Sequence, residues 1–263
     1  MRLSQNKPQF PEKFEVPSLY NGTGNTLLLD NLLGWGINLY FLTNGGGAVH
    51  LNEYIRLSRS LYDLTTDVPR GFVIHETLAA YAAAIRYLGE RRIGACSLTT
   101  GGVPDIANPA IIEAMMHSSP AIYLAALSAS NAGKKAPLQD TTEIGFRTAT
   151  TMKERHGNGC QVIDRIDSLE KVLYNVRDRL LDLKPVLILY HPDVIKERIP
   201  WFEVPWVEKP RQFDQRTLDE FLASFPQETN GKKVVLFVGE EAARYERMTQ
   251  LTTALARLLK APT

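Results

Sequence analysis

FVIHETLAAYAAAIRYLGERRIGACSLTT, residues 72–100, decides the fold. Phe72, Val73 and Ile74 make a short apolar run, and Ala79 to Leu88 have the alanine and leucine content of a helix. Glu76 stands at the seam. Ile93 to Thr99 returns to a strand pattern and ends in Thr100-Gly101-Gly102. One more helix, running to Met116, leads to a further apolar segment, Ala121 to Ala126. Strand and helix patterns in this alternation predict an α/β domain, an open and mostly parallel sheet flanked by helices. In such a sheet functional groups collect where strands end and helices begin, so Glu76 and Thr100 share an edge. A carboxylate in a first helical turn is also favoured by the free N–H groups there, which makes a simple capping charge the alternative reading.

Upstream of that stretch, Asn25 or Thr26 caps a helix through Leu33, and Asn38 to Thr43 reads as the first strand. Asn44-Gly45-Gly46-Gly47 ends it. Consecutive glycines let a backbone turn tightly and let a ligand come close, although plain turns use them too. His50 to Leu64 reads as a second helix. Met1 to Gly24 reads as an extended arm, because Pro8, Pro11 and Pro17 prevent a regular helix.

Downstream, Ser128 to Asp140 is a polar loop placed to close over a site. Thr141 to His156 carries a helix-then-strand pattern, and Gly157-Asn158-Gly159 a turn. Asp167 to Leu183 is an amphipathic helix with Leu169, Val172, Leu173, Val176 and Leu180 on one face, and Val186 to Tyr190 is the last strand. The organisation expected is an arm over 1–24, a domain over 25–195, a linker over 196–233 and a partial second α/β unit over 234–263. The linker is rich in proline and aromatic residues, including Trp201, Phe202 and Trp206, which need to bury against something. The last unit consists of a strand, Val234 to Val238, then Gly239 and a helix from Ala242 to Lys260.

With 263 residues and 44% hydrophobic content, the chain can bury a substantial core. A net charge of +1 without a basic run argues against nucleic acid as a partner. Cys96 and Cys160 lie far apart and form no metal-like spacing. The first twenty residues hold no apolar stretch of signal-peptide or membrane-span length, so the cytoplasm and no membrane partner are the default expectation.

Three stretches, in their joint order, resemble the pyrimidine-binding (PYR) domain of thiamine-diphosphate-dependent enzymes, in the acetolactate synthase and 2-oxoacid decarboxylase branch. LLLDNLLGWGINLYFLTNGGGAVHLN, residues 27–52, is similar to that domain's opening helix, strand and glycine turn. His75-Glu76 is similar to the family's glutamate at a strand-to-helix turn. Thr99-Thr100-Gly101, the helix to Met116, Ser119-Pro120 and the loop Leu138-Gln139-Asp140 are similar to the next units. The resemblance covers about residues 25 to 195. It departs at Asn44, where the family often has proline, and at Gly101-Gly102-Val103-Pro104-Asp105-Ile106, where a glycine-proline-glycine run with a threonine and asparagine is usual.

The resemblance implies that Glu76 activates the aminopyrimidine of thiamine diphosphate, and that Asn44, Gly45, Gly46, Thr100 and Gly101 contribute to its pocket. Gln139 would meet substrate, a 2-oxo acid, with His75 in a supporting role. In the enzymes this chain resembles, a Gly-Asp-Gly motif on a second, diphosphate-binding domain holds Mg²⁺ and the diphosphate, and no such motif appears here. No metal ligand is therefore assigned here, and Mg²⁺ with the diphosphate is expected on a partner chain carrying the PP domain. The implied protein is one subunit of a split, hetero-oligomeric decarboxylase or carboligase, with a truncated form of such an enzyme as the alternative. The paired histidines of the simple decarboxylases have no counterpart, which favours carboligation. A non-catalytic scaffold built on the same domain, and a nicotinamide-dependent α/β enzyme, are the competing readings.

Overall fold

Long apolar runs without alternation suit strands that are covered on both faces, as in a parallel sheet. The central strands have that composition and that environment. A computed structural model of the chain describes residues 20–61, 70–101, 106–133, 135, 137–207, 214–239 and 248–260. It divides into two compact units, the first ending at Val207. In chain order this unit contains α1 (Gly24–Gly34), β1 (Leu39–Leu42), α2 (Val49–Leu61), β2 (Arg70–Val73), α3 (Glu76–Glu90) and β3 (Gly94–Leu98). There follow α4 (Asn108–Met116), β4 (Ala121–Ala126), α5 (Thr148–His156), β5 (Cys160–Ile163), α6 (Leu169–Leu181) and β6 (Val186–Tyr190).

The six strands form one sheet in the order β2-β1-β3-β4-β6-β5, parallel at every pairing. The open α/β fold expected from the sequence is the fold observed. Because successive side chains alternate across a strand, β4 sends Ile122, Leu124 and Ala126 into one core layer and Ala121, Tyr123 and Ala125 into the other. The first layer packs against α1 and α6 through Leu28, Leu32, Leu173 and Val176. The second meets α3, α4 and α5 through Ala79, Ala83, Ile111 and Met152. Small residues on α3 let it lie close to the sheet. Where Gly94 begins β3, an added Cβ would stand 2.6 Å from the carbonyl oxygen of Ala83.

The strand β5 lies outside the sequence reading, which placed the strand pattern before His156 rather than after Gly159. Four residues with only Cys160 and Ile163 buried are too few to display a period. The first part of the expected linker belongs to the first unit. Asn31 donates to the carbonyls of Leu27 and Phe202, at 2.9 and 3.2 Å, and accepts from Val204 N at 2.7 Å. Trp35 Nε1 donates to Val204 O at 2.7 Å. These bonds satisfy buried polar groups while Trp206 packs on Trp35 with ring centroids 5.8 Å apart.

The second unit contains α7 (Gln215–Thr229), which falls within the stretch read as linker, and α8 (Met248–Leu259). Asp214 caps α7, accepting from Thr217 N at 3.1 Å and Thr217 Oγ1 at 2.7 Å. Val234 to Val238, expected as a strand, pairs with no strand among the described residues, and Phe237 is 92% exposed. The start of the helix expected from Ala242, and most of the expected N-terminal arm, lie outside the described residues. Among the described residues, no helix is long and apolar enough to cross a membrane.

Candidate functional site

From β1 the chain first moves outward to the edge strand β2 and then returns to the other side of β1 to form β3. The turns after β1 and β3 therefore diverge, and the crevice between them at the carboxyl edge is where open α/β sheets bind ligands. The turn after β1 is Asn44-Gly45-Gly46-Gly47 and the turn after β3 is Thr99-Thr100-Gly101. Glu76 opens α3 directly after β2.

Glu76 is the acidic residue of the first turn of α3, and its hydrogen bonds run away from that helix. The N-cap of α3 is His75, whose Nδ1 accepts from Thr77 N at 3.3 Å. Glu76 instead reaches past the end of β1 to β3, where its Oε1 accepts from Thr99 N at 2.8 Å and also from Thr99 Oγ1. Oε2 accepts from no described residue. The group is thus half-buried, with one oxygen anchored and the other uncommitted. The capping task falls to the exposed His75, which is the role the structure gives that residue.

The glycine turn is fitted to the β3 turn with little room to spare. Gly47 N donates to Thr100 Oγ1 at 3.1 Å. A Cβ on Gly46, where φ is +45°, would stand 2.9 Å from the same hydroxyl. One on Gly47 would stand 2.5 Å from Pro192 Cγ and 2.7 Å from Ala126 Cβ. Gly45 comes against the Thr99 methyl, a Cβ there being 3.2 Å from Cγ2. Gly101 has φ of +84°, and a Cβ on it would stand 3.0 Å from Gln139 Cβ. The structure therefore joins Glu76, Gly45, Gly46, Thr100, Gly101 and Gln139 through a continuous set of contacts, with Asn44 at the lip of the turn.

Gln139 is exposed and itself sits at φ of +57°. Its loop is pinned nearby. Ser128 N donates to Thr141 Oγ1 at 2.7 Å, and Thr141 N donates to Ser128 Oγ at 3.1 Å. The loop is therefore held at the edge of the sheet by buried bonds.

Two residues outside the sequence-derived site belong to it. Thr99 anchors Glu76, and Asn52 on α2 donates to Thr43 O at 2.9 Å and Asn44 Oδ1 at 3.2 Å. Thr99 was visible as the end of a strand pattern and the start of the Thr99-Thr100-Gly101 turn, but not as a partner of Glu76. Beneath them Cys96 is fully buried, and its thiol is pushed well above its ordinary range by that burial and by the Glu76 carboxylate, so it offers no nucleophile. Among the described residues, no three His, Cys, Asp or Glu side chains are grouped to hold a metal ion.

Thr99→Val keeps the backbone bond to Glu76 and removes the hydroxyl one. Hydrogen bonds to charged groups contribute about 1.5–3 kcal/mol, so activity that depends on Glu76 should fall about tenfold. Steady-state kinetics on the folded protein would register this effect, with a fall of several degrees in melting temperature beside it, whereas an unchanged rate would leave the anchor without a role.

Comparison with protein-family models and with curated proteins finds no match.

Proposed function

We propose that this chain is the pyrimidine-binding subunit of a thiamine-diphosphate-dependent enzyme acting on 2-oxo acids, with carboligation favoured over plain decarboxylation. One observation carries the reading: the Glu76 carboxylate is not used to cap its helix but held over the β1/β3 crevice by Thr99, beside a glycine turn. A carboxyl group fixed at one oxygen can hold a ring nitrogen with the other. The glycine turn packs directly on Thr99 and Thr100, which brings its backbone up against the residue that anchors Glu76.

These residues fit the ring end of the cofactor and not its diphosphate end. The described residues near Glu76 offer no cluster of hard oxygen ligands for Mg²⁺, so the reading assigns metal and diphosphate to a partner subunit. When bound, thiamine diphosphate supplies a nucleophilic carbon and takes up the electron pair released as a 2-oxo acid loses CO₂. This chain's part is to orient the ring through Glu76 and the turns. Gln139, against Gly101, supplies an amide toward the substrate.

The surface beside Glu76 supports completion by a partner. Leu78, Ile85 and Leu88 on α3 are 61%, 56% and 37% exposed, and Ile112, Met115 and Met116 on α4 are 45%, 43% and 71% exposed. Since α3 begins at Glu76, whatever covers that apolar face stands next to the crevice. Ile85→Arg should leave the melting temperature within about 2 °C, as surface substitutions do, yet abolish recovery of a partner.

The test of the reading is a native pull-down of the tagged chain from its source, with bound thiamine diphosphate measured in the eluate. A stoichiometric partner carrying Gly-Asp-Gly, with cofactor held only in the complex and lost with Ile85→Arg, is the expected result. Recovery of the folded chain alone, or of a partner without cofactor, would favour the scaffold reading instead.

A further inference from the structure

Asn52 reaches from the second turn of α2 to the end of β1 and is only 6% exposed. Its amide nitrogen makes both of its bonds, to Thr43 O and to Asn44 Oδ1. The orientation is forced, because turning the amide over would set its oxygen against the Thr43 carbonyl, acceptor against acceptor. The consequence is that Asn52 Oδ1 stays buried with no donor among the described residues. A buried acceptor without a partner destabilises a fold.

The effect on Asn44 is specific. With its oxygen turned to Asn52, its own amide nitrogen becomes the free end, and Nδ2 donates to no group among the described residues. Asn44 is exposed at the lip of the glycine turn, next to Gly45 and hence to the Thr99 methyl. Proline, frequent here in the enzymes this chain resembles, has no side-chain donor.

We propose that Asn52 is a positioning residue that orders the Asn44 amide as a hydrogen-bond donor to an acceptor atom of the ring seated over the glycine turn. The proposal rests on the pyrimidine reading above and adds to it a polar contact particular to this chain. The ligand class is a heteroaromatic ring that presents an acceptor nitrogen or oxygen to that lip.

The experiment uses the full chain labelled with ¹⁵N-asparagine, alone for the free-state amide spectra and assembled with its partner for the titration, with 4-amino-2-methylpyrimidine as the probe. In the free chain, Asn52→Leu should shift and broaden the Asn44 side-chain amide signals. Asn52→Asp, nearly isosteric but without the donor, should do the same if the leucine variant fails to fold. On titration the ring should perturb the Asn44 amide, and both Asn44→Ala and Asn52→Leu should weaken binding about fivefold, the equivalent of one neutral hydrogen bond. In the Asn44→Ala background, replacing Asn52 should weaken binding no further, as for two residues acting through one contact.

Unchanged Asn44 signals in both Asn52 variants would overturn the positioning role, and so would additive losses in the double variant. A ring that binds the wild-type chain without perturbing Asn44 would overturn the donor role. A ring that perturbs no residue of the crevice would sink the pyrimidine reading itself, while the free-chain spectra still decide whether Asn52 orders Asn44.

Discussion

Glu76→Gln, on the function proposed above, should lower turnover of a 2-oxo acid by the assembled complex by roughly 10²–10⁴-fold without loss of assembly. The amide oxygen of glutamine can still accept from Thr99 N and Oγ1, so the bonds that join α3 to β3 survive. What disappears is the carboxyl group at the free position, now an NH₂. Such a group acts on the transition state more than on the bound ligand, and cofactor affinity should accordingly change far less than rate. Kinetics with cofactor titration would separate the two. A variant that is fully active, or one that is inactive only because it no longer holds cofactor, would remove Glu76 from its assigned role.

The second large effect is on stability. Gly94→Ala should lower the melting temperature of the first unit by roughly 5–10 °C, corresponding to a loss of about 2–3 kcal/mol for a domain of this size. The added methyl would stand 2.6 Å from Ala83 O and 2.9 Å from Ala83 Cα. Those are backbone atoms of α3, which no rotamer change can move aside, so the helix must lift from the sheet. Because α3 carries Glu76 and β3 leads to Thr99, activity should fall as well, by about tenfold. Gly89→Ala is the control in the same helix. It has open space around the new methyl and should gain up to about 1 kcal/mol from helix propensity. Thermal unfolding of the three proteins measures both effects, and a Gly94→Ala protein as stable as the wild type would refute the close packing of α3 on β3.

Much of this architecture was legible in the sequence because its signals are long or unambiguous. The runs at Ala121–Ala126 and Val186–Tyr190 are apolar throughout, as strands covered on both faces must be, and both appear where expected. The five-point apolar face of α6 likewise has enough turns to show its period. By contrast β5 has four residues, and α7 is hidden in a stretch whose prolines argued for irregular chain, although Pro226 sits within that helix. Val234 to Val238 reads as a strand from composition alone. A strand also needs a neighbouring backbone, and none of the described residues supplies one.

The site was legible in part for a similar reason. Glycines and an acid at element boundaries stand out, whereas Thr99 looks like the last residue of a strand and Asn52 like a polar residue on a helix. Their roles come from tertiary neighbours, Glu76 across the end of β1 and Asn44 eight residues upstream. Whether Glu76 capped its helix or reached away from it was undecidable from spacing, since both uses place the same residue in the same position. In the structure His75 Nδ1 accepts the capping bond from Thr77 N, and Glu76 makes its hydrogen bonds to Thr99 from its place in the first turn.

The most direct measurement is the rate of hydrogen–deuterium exchange at C2 of thiamine diphosphate bound to the assembled complex, followed by NMR after rapid quenching. It reads the effect of Glu76 on the cofactor and needs no substrate. Exchange in the wild-type complex should exceed that of free cofactor by orders of magnitude, and Glu76→Gln should return it close to the free rate. Equal exchange in the two complexes, with cofactor bound in both, would contradict the assignment of Glu76.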